Sequence, residues 1–161
     1  MIFVTLGTQK FQLNRLLRQL DKISLSLKNE EKIFAQIGYS DYRPKNYEYI
    51  DFLNGNEFKQ KIQQSSLVIS HSGVGSIISS IKAGKPVIVF PRLSKFNEHV
   101  DDHQLEIAKA FSKKNYVLYC GENDNLKLLI NEAKNHNFDK YISSTDKILN
   151  IINKSLEDLY K

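Results

Sequence analysis

The sequence predicts an open, doubly wound α/β domain built on a mostly parallel sheet. Short, continuous apolar runs alternate along the chain with longer segments of helical periodicity. Runs that are apolar on both faces are typical of a parallel sheet that helices cover on both sides. At 161 residues the chain has the length of one domain, so we predict a single domain over 1–161.

The first half of the chain predicts three strands and two helices. Apolar side chains recur at steps of three and four residues over 10–27, which predicts an amphipathic helix. The pair Asn54-Gly55 predicts a stop after the third strand. In chain order, the predicted elements are a strand over 2–6, a helix over 10–27, strands over 32–37 and 47–52, and a helix over 57–64.

The second half predicts three strands and four helices. Gly84 and Pro86 predict the end of one of these helices, because glycine after a helix and proline soon after it stop the helix. The predicted elements are strands over 67–70, 86–90 and 116–119 and helices over 74–83, 102–113, 125–135 and 146–159. The polar stretch 136–144 resembles a linker. The helix within 144–161 has one apolar stripe, which predicts either docking on a partner or packing on its own sheet.

The composition of the chain limits the classes of protein to which it can belong. The net charge is +5, with acids and bases mixed along the chain. This mixing is typical of a solvated surface, and the excess of base also favours an anionic ligand. Without a basic stripe carrying interleaved aromatic residues, the chain is not a dedicated nucleic-acid binder. One cysteine, no apolar run of membrane-spanning length and no leader pattern at the start predict a cytoplasmic protein.

The loop after the predicted strand 67–70 has the composition of an anion site. The loop consists of His71, Ser72, Gly73, Val74, Gly75 and Ser76. Its two glycines can adopt positive φ and leave room for a ligand, and the helix that follows offers free N–H groups. We predict a diphosphate site here, with the histidine pointing into the crevice at the strand ends. The alternative is an ordinary strand–helix turn with a serine cap.

A second polar loop follows the predicted strand 86–90. Its stretch EHVDDHQ holds two histidines, three acids and a glutamine. Such side chains form hydrogen bonds with hydroxyl groups, so we predict that Gln104 and the neighbouring acids recognise a sugar. His99 and His103 stand four residues apart, as two metal ligands on a helix would, but the HExxH order is missing and we predict no metal. The remaining alternative is a charged helix start capped by Asp101 or Asp102.

Three motifs in this order and spacing resemble the C-terminal, donor-binding half of inverting GT-B glycosyltransferases. They are SHSGVGS, GKPVIVFPR and EHVDDHQ, and the similarity runs from MIFVTLGTQKF to about residue 120. The chain most resembles the small subunits of bacterial two-component capsular and exopolysaccharide transferases, which are family 28-like. It resembles more distantly the small subunit of the eukaryotic dolichol-linked GlcNAc transferase and the GlcNAc transferase that makes lipid II. The resemblance implies a Rossmann-like domain equivalent to half of such an enzyme.

The resemblance also implies roles for the matching positions. Gly7 and Thr8 match a loop near the donor phosphates, and Phe52 and Leu53 match the segment whose backbone meets the uracil ring. The diphosphate turn corresponds to Ser72, Gly73, Val74, Gly75 and Ser76, and the segment that contacts the donor sugar corresponds to Asp102, His103 and Gln104. Many relatives carry a ribose-binding glutamate where this chain has Ser79. Ribose recognition is therefore expected to be weaker or to be supplied differently.

The implied reaction is attack by an acceptor hydroxyl on the anomeric carbon of a UDP-sugar. Amides and hydroxyls of 72–76 would stabilise the leaving UDP, so we expect neither a metal nor another cofactor. A general base must take the proton of the acceptor hydroxyl. The candidates are His71, Glu98 and His99, and a partner could also supply this base.

The resemblance implies a membrane-anchored partner subunit that supplies the other half of the enzyme at the inner face of the plasma membrane. The acceptor would be a saccharide on a lipid diphosphate carrier. Galactose is favoured over N-acetylglucosamine, because the capsular relatives transfer galactose. One alternative is a donor-binding or activating module without a catalytic group. Another alternative is a nucleotide-sugar epimerase of similar architecture, but such an enzyme needs two full domains and the length of this chain argues against it. A third alternative is an unrelated nucleotide-binding regulator.

Overall fold

Six strands pair in parallel to form one sheet in the computed structural model, which describes residues 1–27 and 31–143. The strands are β1 (Ile2–Thr5), β2 (Ile33–Gln36), β3 (Glu48–Ile50), β4 (Leu67–Ser70), β5 (Val87–Val89) and β6 (Leu118–Tyr119). The helices are α1 (Asn14–Leu27), α2 (Gly55–Gln64), α3 (Val74–Lys82), α4 (His103–Lys113) and α5 (Leu126–Ala133), with one 3-10 turn at Ser94–Phe96.

The strand order is β3-β2-β1-β4-β5-β6, and every pairing is parallel. The chain runs outward from β1 to β3, returns to place β4 beside β1, and then runs outward to the opposite edge. The doubly wound fold predicted from the sequence is confirmed. The order reverses between β1 and β4, and ligands of open α/β sheets bind at such a point, beside the carboxyl ends of the strands.

The central strands are buried on both faces, and their side chains alternate between two cores. Ile2 and Val4 of β1 belong to the core beneath α1 and α5, whereas Phe3 belongs to the core beneath α2, α3 and α4. This alternation follows from the two-residue period of a strand. Apolar faces of the helices close both cores, so the loops at the strand ends rest on a rigid base.

Several predicted boundaries differ from the structure by a few residues, and two of these differences have a clear physical reason. Helix α1 begins at Asn14 instead of residue 10, because the Leu13 N–H donates to Ser40 Oγ at 3.0 Å and the preceding residues belong to a loop. Strand β3 is shorter than the predicted 47–52, and all of its side chains are exposed. It is an edge strand, so one of its sides has no neighbouring strand to extend the pairing.

The connection between β2 and β3 replaces the usual crossover helix with an irregular segment, 37–47, all of which is described. Asp21 of α1 holds this segment in place. Its buried carboxylate accepts hydrogen bonds from the hydroxyl of Tyr42 (2.6 Å) and from the amides of Lys45 (3.0 Å) and Asn46 (2.9 Å). A short connection fixed in this way places β3 directly beside β2.

Asparagine side chains cap two of the helices. Asn54 accepts from the amides of Asn56 and Glu57, and the Glu57 side chain accepts from the amide of Asn54 in return. This is a capping box, so the predicted stop at Asn54 is also the start of α2. Asn125 caps α5 through its side chain in the same way.

Hydrogen bonds attach the predicted linker to the rest of the domain within 136–143, the part of the linker that the structure describes. The Asn115 side chain donates to the carbonyl of Asn137 at 2.9 Å, and its oxygen lies 2.6 Å from Nε2 of His136. The helix predicted over 146–159, and with it the proposed docking element 144–161, lies outside the described residues. Among the helices that are described, none has the length and apolar character needed to cross a bilayer.

Candidate functional site

An open cleft of about 390 Å³ lies at the carboxyl edge of the sheet, where the strand order reverses. Three chain segments line it: the loop after β1, the turn between β4 and α3, and the stretch that leads into α4. The lining residues are Gly7, Thr8, Gln9, His71, Ser72, Gly73, Val74, Gly75, Ser76, His99, His103, Gln104 and Ile107. The volume lies within the range of roughly 300–1,000 Å³ that is usual for small-molecule sites.

The N-terminus of α3 faces this cleft without a side-chain cap. Its first backbone hydrogen bond runs from the Ile77 N–H to the Gly73 carbonyl at 3.0 Å, and no side chain in the described part of the chain caps the terminus. The amides of Val74, Gly75 and Ser76 therefore precede the hydrogen-bond ladder of the helix and are available to a ligand. The first turn of α3 contains no acidic residue. This end of the helix therefore attracts anions, in contrast to the capped starts of α2 and α5.

The two glycines of this turn serve two different purposes, and neither adopts the positive φ that glycine allows. Ser72, and neither glycine, adopts positive φ (71°), whereas Gly73 is extended with φ −70°. A Cβ atom placed on Gly73 would lie 2.4 Å from Nε2 of His71, and one placed on Gly75 would meet no atom within 4 Å. Position 73 therefore requires glycine, because the Cβ of any other residue would collide with the histidine ring. Gly75 leaves open space in front of the helix.

His71 forms the base of the cleft and is only 6% exposed. Its Nδ1 lies 3.2 Å from the carbonyl oxygen of Thr5 and donates a hydrogen bond to it. Burial, and after it the positive charge of Arg92, lowers the pKa of His71 to about 4. The ring is therefore neutral at neutral pH, and its Nε2 can accept a hydrogen bond but has no proton to give to a phosphate oxygen.

Three residues that the sequence analysis named in the second polar loop line the cleft, namely His99, His103 and Gln104. His99 packs on the ring of Phe11, with centroids 4.4 Å apart, and its Nδ1 lies 3.0 Å from Oδ1 of Asp101. His103 is exposed, whereas Gln104 is buried and its Oε1 accepts from the Arg92 N–H at 3.1 Å. Hydrogen bonding by the His103 amide lowers the pKa of Asp101, so Asp101 is an anion beside His99.

Glu98 and Asp102, two other residues predicted for the site, do not line the cleft. Glu98 is buried in an ion pair with Arg15 (Nη2 to Oε2, 2.9 Å) and also accepts from the Leu93 N–H at 3.1 Å. A carboxylate held by these donors stabilises a loop and is not available as a base. The carboxylate of Asp102 accepts from the Ser94 N–H at 2.8 Å, on the outer side of the same loop.

The segment predicted to meet a nucleobase lies beside the cleft and not in its lining. The exposed Phe52 packs edge-on against Tyr39, with ring centroids 5.1 Å apart. The Leu53 N–H donates to Oε1 of Gln36 at 3.1 Å, and Nε2 of the same glutamine donates to the Gly7 carbonyl at 3.3 Å. Gln36 thus joins this segment to the loop after β1.

Sequence reasoning missed three residues that shape the cleft. Gln36 is one of them, and Gly38 is another, since it has φ 58° and a Cβ there would lie 2.9 Å from the Gly7 carbonyl oxygen. The third is Arg92, whose side chain is fully buried and donates to three backbone carbonyls of the loop that follows β1. A charged residue two positions after the apolar run VIVF, with only Pro91 between, is a signal that could have pointed to Arg92.

The described residues contain no group of three or more His, Cys, Asp or Glu side chains placed to hold a metal ion. His99 and His103 both line the cleft, but each is paired with a carboxylate, Asp101 and Glu106 respectively. The expectation of a metal-free reaction remains a prediction.

Comparison with known proteins assigns the chain to a protein family. The sequence profile described as "Glycosyltransferase family 28 C-terminal domain" matches residues 1–158. The chain is 31% identical over 127 residues to the "UDP-N-acetylglucosamine transferase subunit ALG13" of Homo sapiens, a match that covers 74% of the chain and 11% of that protein. It is 29% identical over 109 residues to the protein of the same name from Candida albicans, covering 68% and 36%.

Solved structures agree on the fold. The structure described as "Crystal Structure Analysis of the Glycotransferase of kitacinnamycin" superposes with a TM-score of 0.63 at 16% identity, covering 84% of this chain and 35% of that one. "Spinosyn Forosaminyltransferase SpnP" superposes with a TM-score of 0.58 at 14% identity, with the same coverage. The chain spans 36% or less of the length of each of these relatives and structures. It belongs to the family of glycosyltransferase family 28 C-terminal domains.

Proposed function

We propose that the chain is the donor-binding subunit of an inverting glycosyltransferase and that it binds a UDP-sugar in the cleft at the start of α3. The observation that carries this proposal is the uncapped start of α3, whose amides face an open cleft where the strand order reverses. A diphosphate suits this position, because free amides and the positive end of the helix dipole both favour a compact anion.

The same amides would assist the chemical step. Breaking the bond between sugar and diphosphate places negative charge on the leaving UDP, and fixed amide dipoles stabilise that charge without rearranging. The neutral His71 has no proton to donate there, so we assign this role to the backbone of 74–76 and to the hydroxyl of Ser76. No metal is required for charge stabilisation of this kind.

His99 is the base that the geometry favours among the three predicted candidates. The pKa of His71, about 4, makes it a weak base at neutral pH, and Glu98 is held by Arg15. His99 lines the cleft, and Asp101 orients its ring by accepting a hydrogen bond from Nδ1. This arrangement leaves Nε2 free to take the proton of an acceptor hydroxyl.

We propose N-acetylglucosamine as the transferred sugar and a saccharide on a lipid diphosphate as the acceptor. The support is that the relatives described above are named as UDP-N-acetylglucosamine transferase subunits. The galactose specificity and the bacterial capsular or exopolysaccharide setting predicted from the sequence find no support in these relatives. We therefore treat galactose as the competing donor to be tested.

A membrane-anchored partner would supply the rest of the enzyme and hold the chain at the inner face of the plasma membrane. The support for this proposal is that the relatives described above are named as subunits. Exposed apolar side chains also occur in the segments that follow β4 and β5, namely Val74, Phe96 and Val100.

A second candidate function is a donor-binding module that contributes no catalytic group. It is favoured by the loss of two predicted bases, since His71 is neutral and buried and Glu98 is ion-paired. Washed membranes of the source organism, which would hold the partner and the acceptor, separate the two functions. A His99→Gln chain restores transfer from radiolabelled UDP-sugar in these membranes if the partner carries the base, and fails to restore it if His99 does.

Binding of UDP tests the proposed site directly. We expect the purified chain to bind UDP, measured by calorimetry, and to bind UDP-GlcNAc more tightly than UDP-galactose. Replacing Gly75 by Ala fills the open space before the helix, so it should weaken UDP binding while stabilising the fold by about 0.4–1 kcal/mol.

Gly55→Ala is the matched control, because Gly55 also lies in the first turn of a helix, an added Cβ there would meet no described atom within 4 Å, and Gly55 does not line the cleft. It should give a similar gain in stability and leave UDP affinity unchanged. Absence of UDP binding by the unaltered chain, or equal affinity in the two alanine variants, would count against the site.

A further inference from the structure

Arg92, which follows β5, reaches across the base of the cleft to the loop after β1. Its side chain is fully buried. Nη2 donates to the carbonyls of Leu6 (2.7 Å) and Phe11 (3.0 Å), and Nε donates to the carbonyl of Gln12 (3.2 Å). One guanidinium therefore fixes both ends of the loop that contains Gly7, Thr8 and Gln9, which line the cleft.

Arg15 makes the reverse connection. It is the second residue of α1, directly after that loop, and it reaches the segment that follows β5. Its Nη2 donates to the carbonyl of Pro91 at 3.0 Å, its Nε donates to Oε1 of Glu98 at 3.1 Å, and its guanidinium stacks on the ring of Phe90 at 4.4 Å. Two arginines thus join the same two segments, each reaching from one segment to the other.

The connection extends to both sides of the cleft. The Arg92 N–H donates to Oε1 of Gln104, which lines the cleft from α4. On the other side, the ring of His71 lies between Gly7 and Gly73, since a Cβ on either glycine would lie within 2.6 Å of a ring atom. A shift of the loop after β1 would therefore change the distance between Gly7 and the start of α3.

Stability of the fold alone does not explain a buried arginine at this position. Within the described residues, no carboxylate forms a hydrogen bond with its side chain and its Nη1 has no hydrogen-bond partner. A buried charge with an unpaired donor is unfavourable compared with an apolar side chain of similar size. What Arg92 provides, and an apolar side chain cannot, is a fixed set of directed bonds to a loop of the cleft.

We propose that Arg92 is a positioning residue that holds the loop Gly7–Gln9 at the distance from α3 at which both contact the diphosphate. This proposal rests on the proposed function, because it names the residue that prepares the same site for its ligand. Arg15 and Glu98 serve the same purpose from the opposite direction. Glu98, predicted from the sequence as a catalytic group, acts here through Arg15.

The test compares UDP affinity in Arg92→Met and Arg92→Lys, with Arg18→Met as the control. Met fills similar space without donors, and we expect its UDP affinity to fall about 10- to 100-fold, the usual effect of losing a residue that orients a site. Lys keeps the charge but has no planar set of donors, so it should recover part of the loss. Arg18 is exposed on α1 and lies over the ring of Tyr42, outside these contacts, so its variant should bind UDP normally.

Two further measurements separate positioning from a general loss of structure. NMR titration of His71 should show a higher pKa in Arg92→Met, because the removed cation is one of the causes that lower it; the other titratable group facing the ring is His99. Hydrogen exchange at the amides of residues 7–9 should become faster in the same variant, while exchange in β4 stays unchanged. A folded Arg92→Met chain with UDP affinity within about twofold of the unaltered chain would overturn the proposal.

The test still gives a result if a variant does not fold or if the unaltered chain does not bind UDP. If Arg92→Met does not fold, Arg92→Lys, which keeps the charge but lacks the planar set of donors, replaces it, and normal UDP affinity in that variant would overturn the proposal. If the unaltered chain does not bind UDP, the proposed function is wrong. Faster exchange at 7–9 in Arg92→Met would then still show that Arg92 holds this loop, and unchanged exchange would refute it.

Discussion

Glycines from two different loops enclose the imidazole of His71. A Cβ on Gly7 would lie 2.6 Å from its Cε1, and a Cβ on Gly73 would lie 2.4 Å from its Nε2. The hydrogen bond from Nδ1 to the Thr5 carbonyl fixes the third side of the ring. Both loops line the cleft, so their shared contact with one imidazole ring couples the position of one loop to that of the other.

This contact predicts that Gly73→Ala is destabilising for a steric reason. The added methyl group must displace the ring or the turn, and overpacking of this kind costs about 1–3 kcal/mol of unfolding free energy. Chemical denaturation of the variant measures the loss. UDP affinity should fall with it, because the displaced turn carries the amides at the start of α3.

The double variant with His71→Ala identifies the cause. When the ring is absent, the methyl group on residue 73 has space, so Gly73→Ala should cost much less in that background. We expect a coupling free energy of about 0.5–3 kcal/mol between the two changes, the range for residues in contact. An equal cost in both backgrounds would show that backbone conformation, and not the ring, requires glycine at this position.

Sequence reasoning found the turn but not the physical role of each residue in it. The small residues of HSGVGS predict close approach of a ligand, and the structure does place them at the cleft. The positive φ falls on Ser72, and Gly73 is set by a ring two positions before it. Neither fact could be predicted, because each depends on how side chains meet in three dimensions and not on the local pattern.

Among the elements, the connection between β2 and β3 depends most on a single side chain. Asp21 is 5% exposed and satisfies the hydroxyl of Tyr42 and the amides of Lys45 and Asn46. Burial raises the pKa of Asp21, but these hydrogen bonds outweigh it and hold the pKa below its ordinary value of 3.8. The charged carboxylate is therefore stabilised by the fold.

Asp21→Asn should lower the unfolding free energy at pH 7 by about 1–3 kcal/mol, because one oxygen that accepts amide hydrogen bonds becomes a donor. The folded-state pKa lies below the unfolded value, so the contribution of the carboxylate is complete above pH 3.8 and is lost as the pH falls through the lower, folded-state pKa. Urea denaturation at several pH values measures the difference between the two chains.

Asp41→Asn is the control for this prediction. Asp41 lies in the same connection but is exposed, and it accepts a hydrogen bond from the Asn14 side chain at 2.7 Å. Its replacement should change stability much less than that of Asp21. A difference between unaltered and Asp21→Asn chains that stays constant from pH 7 down through the acid range would mean that the charge on Asp21 is not what stabilises the connection.

Elements with strong local signals were predicted closely, and those that depend on distant partners were not. Helix α3 begins at Val74 as expected, because the glycine-rich turn precedes it and Gly84 and Pro86 follow it. The start of α1 was placed too early, because Phe11 and Leu13 extend its apolar period while Ser40 holds Leu13 in a loop. Glu98 was predicted as a catalytic base because the local sequence does not reveal its ion pair with Arg15, which lies 83 positions away.

For the molecule as a whole, the strand order brings every proposed functional group to one edge of the sheet. Parallel strands all end at the same edge, so the loops after β1, β4 and β5 meet there although they lie far apart in sequence. The doubly wound fold was predictable from the alternation of elements. The convergence of Arg92, His71 and Gly7 was not, because it depends on long side chains reaching between loops.

The same edge also carries exposed apolar side chains. Tyr39 follows β2, Phe52 follows β3, Val74 follows β4, and Phe96 and Val100 follow β5, and each is more than 40% exposed. Apolar side chains concentrated around a polar cleft are typical of a surface that another protein covers. The proposed partner would therefore close the cleft from this side and exclude water from the transferred sugar.

Val100 is the most exposed of these side chains, at 78%, and it tests the position of the partner without disturbing the fold. Val100→Ser should leave the unfolding free energy of the isolated chain within about 0.5 kcal/mol of its original value, as for most exposed positions. If the partner covers this valine, losing the contact costs roughly 1.5 kcal/mol or more, so about tenfold more chain is needed for half-maximal transfer in washed membranes. Leu128→Ser, at a 64% exposed position on α5 away from the cleft, should leave that concentration unchanged. Equal effects of the two serines would place the partner on another face, because a partner that closes the cleft must contact the loop between His99 and Asp101.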